Sequence, residues 1–199
     1  MTIEKRTRPI FLVYPHNRLK LQLKIPELSD GYQLRTYQVG DEANLAKLLA
    51  SEGWESGEVH INEFLDHVLP EGLFFVVHEE TGKVVSTASA LHHPSSPHWH
   101  FQFGGDIGYV ITLPEHRGKG IGYTVSTAAT ARLIQAGYRN IRVVTNDHRL
   151  SALKIYLKIG FVPFLYTEDS EERWSKICSN LNWSFTPNEW VKPDKQRID

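Results

Sequence analysis

Residues 110–122 read Val-Ile-Thr-Leu-Pro-Glu-His-Arg-Gly-Lys-Gly-Ile-Gly, and this stretch decides how the rest of the chain is interpreted. An apolar run ends before Pro114, three alternating glycines follow, and an apolar periodicity typical of a helix begins directly after them. Glycine lets backbone N–H groups approach a ligand without interference from a Cβ atom. The first turn of a helix adds unpaired donors and the positive end of the helix dipole. The stretch therefore predicts an anion-binding turn between a strand and a helix.

Two common glycine-rich nucleotide motifs do not fit this turn. The dinucleotide fingerprint Gly-x-Gly-x-x-Gly needs a third glycine where Tyr123 stands, and a P-loop needs Ser or Thr where Gly120 stands. The pattern that remains is Arg-Gly-x-Gly-x-Gly after a strand and a proline. It resembles the pyrophosphate loop of the GNAT superfamily, the acyl-CoA-dependent N-acetyltransferases. A glycine turn that opens a helix and binds no ligand is the alternative.

A second motif follows at a separation that suits the first. Residues 151–161 resemble the family's Ala-x-x-x-Tyr-x-x-x-Gly-Phe motif, with matches at Ala152, Tyr156, Gly160 and Phe161. The order of predicted elements over roughly residues 32–166 resembles the family as well. On these residues the chain is identified as a member of the GNAT superfamily.

The periodicities along the chain predict an α+β fold. Strands are expected at 32–37, 73–78, 84–91, 106–113, 141–145 and 161–166, and helices at 41–50, 59–69, 120–136, 150–159 and 170–181. The apolar run 10–14 and the alternation in 19–25 predict an extra N-terminal hairpin within residues 1–30. One domain is expected over residues 1–199, with a C-terminal helix and tail at 167–199. The resemblance implies a mixed, mostly antiparallel sheet with helices on both faces and two splayed strands that hold CoA.

Composition excludes several other classes of protein. The chain has 199 residues, a net charge of −1 and a single cysteine, Cys178, which excludes internal disulfides and thiolate zinc clusters. Its balanced charge argues against a nucleic-acid partner, and no apolar run is long enough for a membrane span. The start lacks the apolar segment of a secretory signal, so we expect a cytoplasmic protein. The four histidines of the 92–100 loop have three interpretations: an exposed polar loop, a metal site, or a loop in which His92 or His93 serves as base or lines the acceptor site. We expect no metal, because no carboxylates lie among them.

The resemblance implies that acetyl-CoA, the expected co-substrate, lies along the strand and the glycine turn. Its pantetheine arm would pair with the backbone of Val110, Ile111 and Thr112. Its pyrophosphate would lie on the residues of the turn, namely Arg117, Gly118, Lys119, Gly120, Ile121 and Gly122. Arg149 stands where many members have an asparagine that contacts the cofactor. We therefore expect either Arg149 to reach a phosphate or Asn146 to replace the missing asparagine.

Attack of an amine on a thioester needs a base, an acid and a site for the oxyanion, but no covalent nucleophile. Tyr156 matches the family's tyrosine that faces the cofactor sulfur, so we assign it as general acid; simple packing in the core is the alternative. Asp106 precedes Val110 by four residues, where the histone acetyltransferase branch carries its catalytic glutamate. A two-residue period places Asp106 on the same face as Val110 and Thr112, so Asp106 is the candidate base. A surface aspartate at a loop end is the alternative.

The sequence as a whole predicts an N-acetyltransferase. We expect it to transfer an acetyl or short acyl group from acyl-CoA to a primary amine of a small molecule or peptide, by direct attack in a ternary complex. Trp54 and Glu55 are expected to border the acceptor pocket. The alternative is a non-catalytic acyl-CoA-binding regulatory module. A homodimer formed through the terminal elements is left open.

Overall fold

The computed structural model describes residues 8–92 and 104–193. Its seven strands are β1 Ile10–Val13, β2 Tyr32–Thr36, β3 Val68–His78, β4 Lys83–His92, β5 Gly105–Thr112, β6 Ile141–Thr145 and β7 Val162–Phe164. Its α-helices are α1 Glu42–Ser51, α2 Glu58–His67, α3 Ile121–Gln135, α4 Leu150–Ile159 and α5 Ser170–Leu181. The strands form one sheet in the order β2-β3-β4-β5-β6-β1-β7, and only the β5–β6 pair is parallel among these described strands. The predicted α+β class with a mostly antiparallel sheet is confirmed.

Helices cover both faces of the sheet. Apolar side chains of α3, α4 and α5, such as Leu133 and Trp174, pack against one face and join Val76 of β3 in a single buried cluster. On the other face, α1 and α2 bury Phe64 and its neighbours against Phe75. Adjacent strand residues thus contribute to opposite cores, as alternation in a strand requires. Among the described residues, no helix combines the length and the apolar character that crossing a membrane requires.

The N-terminal strand lies inside the sheet, so the predicted hairpin is wrong. Strand β1 runs antiparallel to β6 and β7, with Phe11 opposite both Val144 and Phe164. All four of its residues are buried, as a continuous apolar run predicts. A strand of a half-exposed hairpin would alternate between buried and exposed residues. Residues 19–25 form no strand. Leu19 and Leu23 rest on the core, whereas Leu21 and Ile25, the other apolar residues of the alternation, are exposed.

Strands β5 and β6 separate part of the way along their length. They pair only from Gly105–Ile141 to Ile107–Val143, although β5 continues to Thr112. Just beyond that point, Tyr109 and Val110 together stand opposite one residue of β4, which is a β-bulge. Tyr109 has a φ of +51°, which is uncommon for any residue other than glycine. The splayed pair expected from the family resemblance is therefore present.

Candidate cofactor and acceptor site

The glycine turn connects the end of β5 to the start of α3. Gly118 and Gly120 have φ values of +79° and +80°, in the left-handed region that L-residues with a side chain rarely adopt. Gly122 has no such constraint, but a Cβ there would lie 3.2 Å from Ile155 Cδ1 and 3.4 Å from Thr112 Oγ1. The first two glycines are therefore needed for the backbone conformation. The third lets the start of α3 pack closely against β5 and α4.

Backbone amides of the turn remain without acceptors. Within the described part of the chain, the N–H groups of residues 118–122 donate to no carbonyl or side chain. They stand at the N-terminus of α3, a helix of 15 residues, where the helix dipole places partial positive charge. Beyond Gly118 and Gly120 the space is open, with nothing within 4 Å of where a Cβ would stand. Unpaired amides around open space at a helix N-terminus are suited to bind a phosphate group.

Two arginines predicted to bind phosphate share one carboxylate. Arg117 donates from Nε to the Thr112 carbonyl at 2.8 Å and from Nη2 to Glu52 Oε1 at 2.9 Å. Arg149 Nη2 lies 3.8 Å from Glu52 Oε2, and its guanidinium lies 5.6 Å from the centre of the Trp54 ring. Glu52 therefore links the glycine turn to the start of α4. No motif in the sequence pointed to this residue.

Lys119 points toward a cluster of aromatic rings beside the turn. Its Nζ donates to Tyr32 Oη at 2.7 Å, and the same hydroxyl lies 2.8 Å from His116 Nδ1. The rings of His116 and His78 are 5.2 Å apart. Burial lowers the pKa of His116, with His78 and Lys119 adding to the effect and Glu115 opposing it. A neutral His116 is the form that accepts a hydrogen bond from Tyr32, so this cluster fixes the direction of the Lys119 side chain.

The three predicted pantetheine-binding residues do not face the same way. The Ile111 carbonyl accepts a hydrogen bond from Ser86 Oγ at 2.6 Å, so its backbone faces β4. Because backbone groups alternate along a regular strand, those of Thr112 face the gap toward β6. The Thr112 carbonyl already accepts from Arg117. Val110 lies in the bulge and has no one-to-one register partner in β4 or β6, so its backbone is the candidate to pair with a ligand in the gap.

The bulge changes which face of β5 each side chain occupies. Ile107 and Val110 both contact the core on the α3 side, whereas Tyr109 and Ile111 contact the core on the α1–α2 side. Asp106, which alternates with Ile107, is therefore on the face opposite to Val110. The prediction that these two residues share a face is wrong, because a two-residue period does not continue through a bulge.

Asp106, the candidate base, is paired with Arg142 of β6. Its two carboxylate oxygens accept hydrogen bonds from Arg142 Nε and, at 2.8 Å, from Arg142 Nη2. The side chains are 14% and 5% exposed, and the two residues are direct partners in the parallel ladder. Both oxygens are thus directed at the guanidinium. This arrangement favours a structural role, joining β5 to β6 where they begin to separate.

Tyr156, the candidate acid, is a buried residue of α4 with its ring edge-on to Phe161. Burial raises the pKa of its hydroxyl, and Arg149 offsets this only in part. Within the described residues, no hydrogen bond contributes to the pKa of that hydroxyl. The preceding residue, Ile155, faces the glycine turn at Gly122. Tyr156 is therefore a protonated hydroxyl, free to donate, on the helix next to the turn.

A group of aromatic and ionisable side chains surrounds Tyr109 on the α1–α2 face. The rings of Phe64 and Trp54 lie 4.3 Å and 5.6 Å from the Tyr109 ring. His60 Nε2 is 3.4 Å from Tyr109 Oη, and His60 Nδ1 is 3.7 Å from Glu55 Oε2. Burial raises the pKa of Tyr109, and Glu55 raises it further. Trp54 and Glu55, predicted from the sequence, thus lie beside the bulge, whereas no local pattern pointed to His60 or Tyr109.

Most of the histidine-rich segment lies outside the described residues, which resume at 104. His92, at its start, has Nδ1 2.6 Å from Tyr138 Oη, and its carbonyl lies 3.2 Å from His67 Nδ1. In the two described ranges, no three side chains of metal-ligating type come together. The role of the segment stays a prediction.

Comparison with known proteins gives consistent matches. The model of the acetyltransferase (GNAT) family matches residues 39–161. A mycothiol acetyltransferase of Saccharomonospora viridis is 27% identical over 151 residues, which is 68% of this chain and 47% of the relative. The chain therefore spans about half the length of that curated relative.

Solved structures show the same fold. A GCN5-related N-acetyltransferase from Sphaerobacter thermophilus matches with a TM-score of 0.62 and 19% identity, over 78% of this chain and 49% of that one. A GNAT-family acetyltransferase from Colwellia psychrerythraea matches with a TM-score of 0.58 and 19% identity, over 78% and 53% of the two chains. At this identity the likeness concerns the fold alone.

Proposed function

Because the chain belongs to the acetyltransferase (GNAT) family, we propose that it transfers an acetyl or short acyl group from acyl-CoA to a primary amine. The acceptor is a small molecule or a peptide, and the amine attacks the thioester directly in a ternary complex. The observation that carries the proposal is the row of amides in residues 118–122, which have no acceptor among the described residues and stand beside the gap between β5 and β6. The relative from Saccharomonospora viridis is named for the small molecule mycothiol, which supports testing small amines first.

In this proposal acetyl-CoA is the co-substrate and lies across the turn and the strand gap. The amides of Gly118 to Gly122 bind the pyrophosphate, and Arg117, Lys119 and Arg149 add positive charge around it. The backbone of Val110 pairs with the pantetheine arm, and Ile111 and Thr112 continue the contact along the strand. No metal takes part. The open space above the left-handed glycines supports this placement.

The chemistry proceeds without a covalent enzyme intermediate. A neutral amine attacks the thioester carbon, the tetrahedral oxyanion collapses, and the C–S bond breaks. We propose that Tyr156 donates its proton to the departing thiolate and regains one from the attacking nitrogen, which loses its extra proton as the amide forms. Burial raises the pKa of this hydroxyl, so it is protonated at neutral pH, which is the form that can donate to the departing thiolate. Asp106 is the base expected from the sequence, but its pairing with Arg142 supports a structural role instead.

Release of free CoA, followed with a panel of small amines and peptides, tests the proposed function. The substitution Gly120→Glu is expected to abolish tight binding of acetyl-CoA, because its side chain fills the space above the amides. Gly82→Glu is the matched control, since Gly82 also has a positive φ and open surroundings but lies in the turn between β3 and β4. Retained tight binding in Gly120→Glu contradicts the proposed cradle. Binding without turnover on any amine favours the non-catalytic alternative.

The cytoplasmic location and the homodimer considered from the sequence stay predictions.

A further inference from the structure

Tyr109 occupies a strained position at the point where β5 leaves β6. A non-glycine residue in the left-handed region costs about 1–3 kcal/mol, so its surroundings have to hold it there. Such strain is found preferentially at functional sites. The next residue, Val110, lies in the bulge without a one-to-one partner in β4 or β6, while the Tyr109 side chain lies on the α1–α2 face. The phenol is therefore carried beside the place where a bound thioester and an amine would meet.

The surroundings of Tyr109 limit its movement and direct its hydroxyl. Phe64 and Trp54 pack edge-on against the ring. The hydroxyl faces His60 Nε2 at 3.4 Å. A neutral imidazole accepts a hydrogen bond at one nitrogen and donates from the other. With Nε2 accepting from Tyr109, the proton of His60 stands on Nδ1, the atom that faces Glu55 Oε2 at 3.7 Å.

These three groups form a path from the bulge to solvent. The His60 side chain is 29% exposed and that of Glu55 is 86% exposed, so a proton that reaches His60 passes readily to water. From the elements packed around His60, the ionisable groups that face it are Tyr109 of β5 and Glu55 of the α1–α2 connection, within the described ranges. Arg149 lies farther away, beyond the Trp54 ring. Asp106 is on the same face as Tyr109 but is directed at Arg142.

We infer that Tyr109 and His60, rather than Asp106, take the proton from the acceptor amine, with Glu55 positioning His60. This rests on the proposed function. The ammonium N–H bond breaks as its proton moves to the Tyr109 oxygen, while the proton of Tyr109 moves to His60 Nε2. The freed lone pair attacks the thioester carbon. The imidazolium of His60 faces the Glu55 carboxylate and then loses its proton to water. Tyr109 is thus the catalytic residue that touches the amine.

The test compares His60→Gln and Tyr109→Phe with wild type over a range of pH, using acetyl-CoA at saturation and the best amine of the panel. Each variant is expected to lower kcat/KM for the amine by about 10²-fold or more near neutral pH. The loss should shrink as pH rises, because solvent then deprotonates the amine. The dissociation constant of acetyl-CoA should stay unchanged. His67→Gln is the control, since His67 is an exposed histidine at the end of the same helix.

A second measurement addresses His60 directly. Free imidazole should restore turnover to His60→Gly, because it replaces the missing side chain as the proton acceptor. The inference is wrong if the His60 and Tyr109 variants keep the wild-type pH profile while Asp106→Asn alters it. In that case turnover persists, so the proposed function stands. Absence of turnover in wild type with every amine overturns both.

Discussion

Glu52, at the end of α1, accepts a hydrogen bond from Arg117 of the glycine turn at 2.9 Å, and its other oxygen lies 3.8 Å from Arg149. One carboxylate thus partly neutralises two guanidinium groups that we assign to the pyrophosphate. Arg117 has a second anchor, the Thr112 carbonyl, which does not depend on Glu52. We therefore expect Glu52 to compete with the ligand's phosphates for the two guanidinium groups. Holding Arg117 in place is the smaller of its two effects.

Glu52→Gln is expected to tighten binding of acetyl-CoA several-fold at low salt. Removing the carboxylate raises the positive potential at the turn, while the bond to Thr112 keeps Arg117 in place. Calorimetric titration at two ionic strengths measures the effect, which should weaken as salt screens the charges. Pantetheine, which has no pyrophosphate, is the control ligand, and its affinity should not change. Weaker binding of acetyl-CoA would show that Glu52 positions the arginines.

Asp106→Asn is expected to destabilise the fold by roughly 3 kcal/mol, because it leaves the buried Arg142 guanidinium without its carboxylate. Urea unfolding gives the free energy of unfolding. The matched control is Glu171→Gln, which removes a carboxylate from a half-exposed pair with Lys192 and should change stability little. A wild-type unfolding midpoint for Asp106→Asn, together with lost turnover, would restore Asp106 as the base.

Tyr156→Phe is expected to lower kcat by about 10²–10⁴-fold while leaving acetyl-CoA affinity and the unfolding temperature nearly unchanged. The substitution removes only the hydroxyl and keeps the packed ring. Tyr14→Phe is the control, since Tyr14 is also buried and packs edge-on against Phe161, 5.2 Å between ring centres. If both variants keep the wild-type kcat across pH, Tyr156 is a core residue only.

Stability should fall in mildly acid solution because of His116. Burial lowers its pKa in the folded state, so below the ordinary histidine value of about 6.5 the unfolded chain binds a proton more readily than the folded one. The contribution is therefore present above that value and is lost as pH falls through the lowered pKa. Urea unfolding near neutral pH and in mild acid should show a smaller loss for His116→Gln than for wild type. The exposed His16 provides the control variant, His16→Gln; equal losses in all three proteins would contradict the assignment.

Local patterns were sufficient to predict the glycine turn and the helices around it. Gly160, with a left-handed φ of +113°, ends α4 at the residue that the periodicity predicts. This prediction succeeds because the helix periodicity and the glycine cap both depend on a few adjacent residues. The same holds for α5, which the spacing of Trp174 and Ile177 predicts closely. Where the determining contacts are near in sequence, the prediction agrees with the structure.

Features that depend on distant partners were not predictable in this way. Tyrosine is not a residue type that signals a positive φ, so nothing in the sequence indicated the conformation of Tyr109. The bulge beside it follows from the register with β4. The pairing of Asp106 with Arg142 joins residues 36 positions apart. Likewise, Ile10–Val13 read as half of a local hairpin because their true partners, β6 and β7, lie near the other end of the described chain.

The position of β1 has a consequence for biosynthesis. Ribosomes deliver the N-terminal part first, so the Ile-Phe-Leu-Val segment emerges long before the strands that enclose it on either side. Pairings so far apart in sequence form slowly and leave apolar surface open to aggregation in the meantime. A nascent chain halted before β7 therefore exposes an apolar segment suited to chaperone capture, because β1 still lacks one of its two neighbouring strands.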